Sequence, residues 1–283
     1  MVKLIECPRD AMQGLHDIIP TEKKIEYIQS LLEVGYDTID FGSFVSPKAI
    51  PQMADTPEVL AGLDLSNTKS KLLSIVANER GADDALQHEE IDYLGFPFSI
   101  SETFQKRNTN SSIEESFERV KVIADKCNSK GKELVIYISM GFGNPYGDVY
   151  DAGIVEEWIA KIKPHGVKIF SLSDTVGIAK PDIIQYLFKH LVPAFPDLEF
   201  GAHFHTAPHN WKEKIEAAYL NGCKRFDGAI KGFGGCPMAK DDLIGNMPTE
   251  NMLNYFSKEE LGPDFSIDAF ERSLRLSMQV FPS

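Results

Sequence analysis

Basic residues are in deficit in this chain: 29 Lys and Arg stand against 42 Asp and Glu, for a net charge of −13 over 283 residues. A surface of that sign offers no footprint for a polyphosphate backbone, so nucleic acid is not an expected partner. An anionic substrate would have to be drawn by a local cation or a metal, not by the field of the whole molecule. Cysteine is also scarce. Cys7, Cys127, Cys223 and Cys236 show no metal-finger spacing and are too few for a disulfide scaffold. No apolar run approaches membrane-spanning length, so no membrane association is expected. Residues Met1 to Glu6 carry an acid and no apolar stretch of a secretory leader, which predicts a reduced, cytoplasmic protein. Missing too is a Gly-x-Gly-x-x-Gly after the first strand, the mark of a doubly wound dinucleotide-binding sheet.

What is present is an alternation of short β-rich runs and helix-period segments, with no obvious linker, repeat or low-complexity stretch. The runs Lys3–Cys7, Asp37–Phe41, Lys71–Val76, Ile91–Phe96, Glu133–Ile138, Val167–Leu172, Leu198–His205 and Arg225–Ile230 read as strands. Three helical patterns are clear between them. Thr21 reads as a cap, with Ile25, Ile28, Leu31 and Leu32 at helical spacing after it; Ser112 opens a long helix; a third runs from Pro181 to Leu191. Eight strands each followed by a helix predict an α/β protein, a single-domain (β/α)8 TIM barrel. The barrel is expected over residues 1–250, with a helical C-terminal segment over 251–283 to which no chemistry is assigned.

Barrel active sites gather at the C-terminal ends of the strands, and the polar residues of this chain fall there. Arg9-Asp10 follow the first strand, Asp40 ends the second, and Ser173-Asp174-Thr175 follow the sixth. His203 and His205 sit two apart on the seventh; strand alternation places them on one face, where they can chelate one ion. Gly232-Phe233-Gly234-Gly235-Cys236-Pro237 and then Gly245-Asn246 follow the eighth. Each group taken singly has a plainer reading: a surface ion pair for Arg9-Asp10, helix caps for Asp40 and Asp174, a turn for the glycines, an inert thiol for Cys236. Their convergence on one mouth is what points to a site.

Pro8-Arg9-Asp10, Ser43-Phe44-Val45-Ser46-Pro47-Lys48, Pro51-Gln52-Met53, Ser111 to Phe117 and Gly232 to Pro237 resemble 3-hydroxy-3-methylglutaryl-CoA lyases. These belong to a wider group of metal-dependent TIM-barrel lyases and acyltransferases. The resemblance runs from Glu6 to about Glu250, and the glycine loop with Cys236 is its most specific part. It implies Asp10, His203, His205 and Asn246 as ligands of a divalent ion, Mg²⁺ or Mn²⁺ by the mixed donor set. It implies Arg9 as the cation at the reacting carbonyl, and Cys236 as a loop acid or base. Asp40, Asp174 and His203 are implied in proton transfer, with Ser43, Asn108, Tyr137 and Thr175 lining the substrate. The expected partner is an acyl-CoA substrate, and the expected assembly a homodimer.

The pattern departs from the family in three places. Asp40 stands where the family has Glu, Thr206-Ala207-Pro208-His209 replaces Asp-Thr-Tyr-Gly, and the stretch from Cys236 to Asn246, containing Asp241 and Asp242, is one residue longer. These departures predict a shifted substrate preference within the lyase reaction: cleavage of 3-hydroxy-3-methylglutaryl-CoA or a related β-hydroxy acyl-CoA to acetyl-CoA and a keto acid. A Claisen-type acyltransferase, a 2-oxo acid aldolase and a non-catalytic acyl-CoA-binding barrel are the other readings of the same residues.

Overall fold

The computed structural model describes residues 1–235, 244–262 and 264–281. Its eight strands are β1 (Lys3–Glu6), β2 (Thr38–Ser43), β3 (Lys71–Ile75), β4 (Ile91–Ser99), β5 (Glu133–Ser139), β6 (Ile169–Asp174), β7 (Glu199–Phe204) and β8 (Arg225–Gly228). All pair in parallel in chain order, and β8 returns to β1 in register from Lys3↔Arg225 to Glu6↔Gly228, closing the barrel. The fold is therefore a (β/α)8 barrel, with helices Thr249–Tyr255, Lys258–Leu261 and Ile267–Val280 after its last strand.

Alternation divides each strand between two surroundings. On β6 and β7, Phe170, Leu172, Phe200, Ala202 and Phe204 point outward into the main core under the helices. Inside the barrel lies a smaller apolar layer of Leu73, Tyr93, Val135, Tyr137 and Ile169. Arg225 shares that interior, with its guanidinium 3.3 Å from Glu199 and 3.6 Å from Asp37.

All eight strands end one to three residues from where the sequence reading puts them, and three of these ends bear on the site. β1 stops at Glu6 because Pro8 begins the helix Pro8–Gln13 at once. β6 runs two residues further, so Asp174 is a strand residue and not part of a loop. β8 stops at Gly228, ahead of a short 3₁₀ turn at Ile230–Gly232. Among the helices, Ser112 makes the expected cap as a full capping box with Glu115. Thr21 does not cap: it is the first helical residue after Pro20, and its hydroxyl donates to Asp55. Lys24, one turn on, is buried against Asp55 and the Gln52 carbonyl.

The C-terminal helix Ile267–Val280 lies on Thr21–Leu32, with Phe281 edge-on to Tyr27 at 5.7 Å. Phe281 also stacks on Phe233 at 4.4 Å, just ahead of Gly234-Gly235. The segment therefore backs the loop that leads to Cys236.

Glu6 ties the same region to the barrel. Its fully buried carboxyl accepts from the Ile230 N–H at 2.8 Å and the Thr249 hydroxyl at 2.6 Å. Burial outweighs those two hydrogen bonds and pushes its pKa up to about 8. An acid raised in the folded state holds its proton there while the unfolded chain has lost it. Stability contributed at low pH is then lost as pH climbs from the ordinary carboxylate range towards 8. Glu6→Gln should remove this slope, so its stability relative to the parent should rise between pH 5 and pH 8, by up to about 1.4 kcal/mol per pH unit. Urea midpoints of both proteins across that range give the answer; a gap that stays flat would mean Glu6 is ionised in the fold.

Candidate active site and metal centre

At the C-terminal mouth of the barrel is a cavity of about 710 Å³, lined by Arg9, Asp10, Tyr137, Thr175, His203 and His205 among others. Pro8 starts its helix directly after β1, which carries Arg9 and Asp10 over the barrel end; both are 7% exposed. Arg9 donates through Nε and Nη2 to both oxygens of Asp40, and through Nη1 to Asp10 at 2.9 Å. Asp40 is thus the clamp that orients the guanidinium. Burial raises Asp40 to about 6 even with Arg9 opposing it. Burial also pushes Asp10 upward, but Arg9, the two histidines and Asn246 together hold it below its ordinary value.

The histidines are poised by what lies behind them. His203 Nδ1 meets Asp227 Oδ2 at 3.1 Å, and His205 Nδ1 meets the Thr175 carbonyl at 3.0 Å. Both partners accept, so each Nδ1 carries the proton and each Nε2 keeps its lone pair. Burial, reinforced by His203, depresses His205 to about 4, which makes it a neutral imidazole at neutral pH. For His203 burial works downward, and the hydrogen bond and charge of Asp227 reverse the balance and raise it.

One ligand atom each from Asp10, His203 and His205 lie within 4.8 Å of one another. His205 Nε2 is buried with no hydrogen-bond partner among the described residues. A buried, bare acceptor costs free energy unless something fills it, and a divalent ion is a group that would. Asn246 joins the group: its amide nitrogen donates to Asp10 Oδ2 at 2.8 Å and to the Phe233 carbonyl at 2.9 Å, leaving its oxygen for an ion. One carboxylate, two imidazole nitrogens and an amide oxygen form a mixed N/O set that fits a divalent metal.

The glycine loop is pressed onto this centre. Gly234 has φ +90°, and a Cβ there would sit 2.7 Å from the Asp10 carbonyl and 2.8 Å from Ala11 Cα. No other residue fits such an approach. Cys236 itself, with Asp241 and Asp242, lies outside the described residues.

Of the remaining expected positions, Asn108, Tyr137 and Thr175 line the cavity, and the buried Tyr137 hydroxyl has no partner among the described residues. Ser43 is turned aside, its hydroxyl donating to the Ile75 carbonyl. Asp174 also faces away. Alternation along β6 aims Ser171 and Ser173 inward and Asp174 outward, where Lys214 takes its carboxylate at 2.6 Å. Two residues were missed in the sequence, Asp227 and Lys214. Asp227 carried a signal, since it sits two residues into the eighth strand at the depth of His203. Lys214 carried none, because a lysine in an amphipathic helix reads as solvent-facing.

Comparison with known proteins bears on the same features. The HMGL-like family profile matches residues 2–272. The chain is 33% identical over 255 residues to a 3-hydroxy-3-isohexenylglutaryl-CoA/hydroxymethylglutaryl-CoA lyase of Pseudomonas aeruginosa, covering 89% of this chain and 83% of that protein. It is 32% identical over 256 residues to the mitochondrial hydroxymethylglutaryl-CoA lyase of Mus musculus, covering 89% and 77%. In structure it is similar to an HMG-CoA lyase of Acinetobacter baumannii solved with coenzyme A and 3-methylmalate, with a TM-score of 0.90 and 28% identity over 99% of this chain and 91% of that one. The hydroxymethylglutaryl-CoA lyase of Pseudomonas aeruginosa also superposes with a TM-score of 0.90, at 30% identity over 99% and 92%. With the barrel, the buried Arg9–Asp10–Asp40 group and the His203–His205 pair already in place, the conclusion is direct: this chain belongs to the HMGL-like family.

Proposed function

We propose that this protein is a divalent-metal-dependent carbon–carbon lyase that cleaves 3-hydroxy-3-methylglutaryl-CoA, or a related β-hydroxy acyl-CoA, to acetyl-CoA and a keto acid. The observation that carries the reading is the convergence of Asp10, His203 and His205 on one point beside the Arg9 guanidinium. Relatives named for this reaction, similar over most of their length, support it.

Asp10, His203, His205 and Asn246 would hold the metal, most suitably Mg²⁺ or Mn²⁺. When bound, it supplies a Lewis acid that lowers the pKa of a coordinated hydroxyl and orients the substrate. The protein's own residues do the rest. Cleavage removes the 3-hydroxyl proton, breaks the bond between C2 and C3, and leaves the electron pair on a thioester enolate. Arg9, always protonated and fixed by Asp40, stabilises the developing negative oxygen. Of the two acids considered for the hydroxyl proton, Asp174 is occupied by Lys214. Asp40, raised to about 6 but held through both oxygens by Arg9, would take it only by giving up part of that grip. Cys236, carried on the glycine loop, would return a proton to the enolate carbon.

The acyl-CoA assignment rests on local charge. Arg80, Arg107 and Arg119 line the same cavity as the metal group, in a chain whose net charge is −13. Such a cluster draws the phosphates of coenzyme A where the overall field would repel them. A cytoplasmic location is supported by the buried, unpaired state of Cys7, Cys127 and Cys223. No helix among the described residues is long and apolar enough to cross a membrane.

Product identity tests the reading. With Mg²⁺ or Mn²⁺, a series of branched β-hydroxy acyl-CoA esters should yield acetyl-CoA and keto acid in equal amounts. Because a pocket discriminates one methylene by only about 1–3 kcal/mol, 3-hydroxy-3-methylglutaryl-CoA should be turned over even if a homologue is preferred. Consumption of acetyl-CoA with a 2-oxo acid would instead make the protein an acyltransferase. Metal binding with no turnover of any ester would make it a binding barrel.

A further inference from the structure

We propose that Lys214 is a positioning residue for the metal centre, and that Asp174 is its counter-ion and not a proton-transfer acid. The inference rests on the metal reading above. Lys214 lies on the helix Trp211–Tyr219, fully buried between that helix and the barrel. A lysine in such a place must have its ammonium satisfied, and all three donors are used. They go to Asp174 Oδ2 at 2.6 Å, the Gly177 carbonyl at 3.0 Å and the His205 carbonyl at 2.9 Å. Asp174 completes the unit by accepting the Ala179 N–H through its other oxygen at 3.0 Å.

The unit joins four pieces of chain: the end of β6, the 175–179 loop, the end of β7 and the helix behind them. His205 is held by it twice. Its carbonyl is taken by Lys214, and its ring Nδ1 donates to the carbonyl of Thr175, next to Asp174. What remains free on His205 is Nε2, the buried atom that converges with Asp10 and His203. Lys214 thus fixes both the position of the His205 backbone and the loop that sets its ring. Groups that orient a metal ligand in this way are worth about 10–100-fold in metal affinity.

The test is Mn²⁺ titration of metal-free protein, followed by electron paramagnetic resonance, for the parent, Lys214→Met and the double variant Asp174→Asn/Lys214→Met. Thermal unfolding of each metal-free protein is recorded alongside. The parent should bind one Mn²⁺; if it binds none, the metal reading fails, and this inference with it. Lys214→Met leaves Asp174 as a lone buried carboxylate, so it should lose both stability and affinity. The double variant removes that charge and should recover much of the stability. It should still bind Mn²⁺ about 10–100-fold more weakly than the parent, because the His205 and Gly177 carbonyls have no donor. Parent-like affinity in a folded double variant would reduce Lys214 to a charge partner and overturn the proposal. Failure of both variants to fold would also overturn it, by making Lys214 a general structural residue.

Discussion

Arg9→Met is expected to lower kcat by about 10²–10³-fold or more, the scale found when one preorganised donor to a developing oxyanion is removed. The guanidinium spends Nε and Nη2 on Asp40 and Nη1 on Asp10, so its plane is fixed before substrate arrives. Such preorganisation costs nothing at the moment of reaction, which is why its loss should appear in kcat more than in KM. The variant also strands Asp40 and Asp10 as buried carboxylates without their cation, so some stability should go too. These effects separate cleanly. Removing a positive charge beside the three ligands favours a cation, while losing the Nη1 hydrogen bond frees the Asp10 carboxylate, so Mn²⁺ affinity per folded molecule should change far less than kcat. A variant that folds, binds Mn²⁺ as the parent does and keeps kcat within threefold would show that Arg9 serves only as a structural bridge between the two acids.

The barrel was legible in the sequence because its strands are short apolar runs separated by helical patterns, and each of the eight overlaps the run that the pattern marked. Their ends were less legible, and one such error mattered. Reading β6 as finishing at Leu172 put Asp174 in a loop facing the cavity; two more strand residues reverse its side and hand it to Lys214. The metal group was legible because residue type and alternation agree: an acid two residues after Pro8, and histidines two apart at the end of one strand. What stands behind that group was not. Asp227, which fixes the proton on His203, and Lys214, which fixes the backbone of His205, act through contacts 24 and 9 residues away. No local periodicity reports such pairs. Asp40 illustrates a third case: read as the end of β2, it lies within Thr38–Ser43, and its bidentate grip on Arg9 could only come from the geometry.

Removal of the metal reaches the centre of the account. His205 Nε2 is a buried acceptor without a partner among the described residues, and one ligand atom each from Asp10, His203 and His205 lie within 4.8 Å of one another. Without an ion, the substrate hydroxyl has no Lewis acid to lower its pKa, a contribution of several kcal/mol. The decisive measurement is therefore acetyl-CoA release from 3-hydroxy-3-methylglutaryl-CoA by chelator-stripped protein titrated with Mn²⁺ or Mg²⁺. The predicted result is a rate at least about 10³-fold below the loaded enzyme, restored with one ion per chain and not restored in His205→Ala. Release of acetyl-CoA at an unchanged rate by the stripped protein would contradict it.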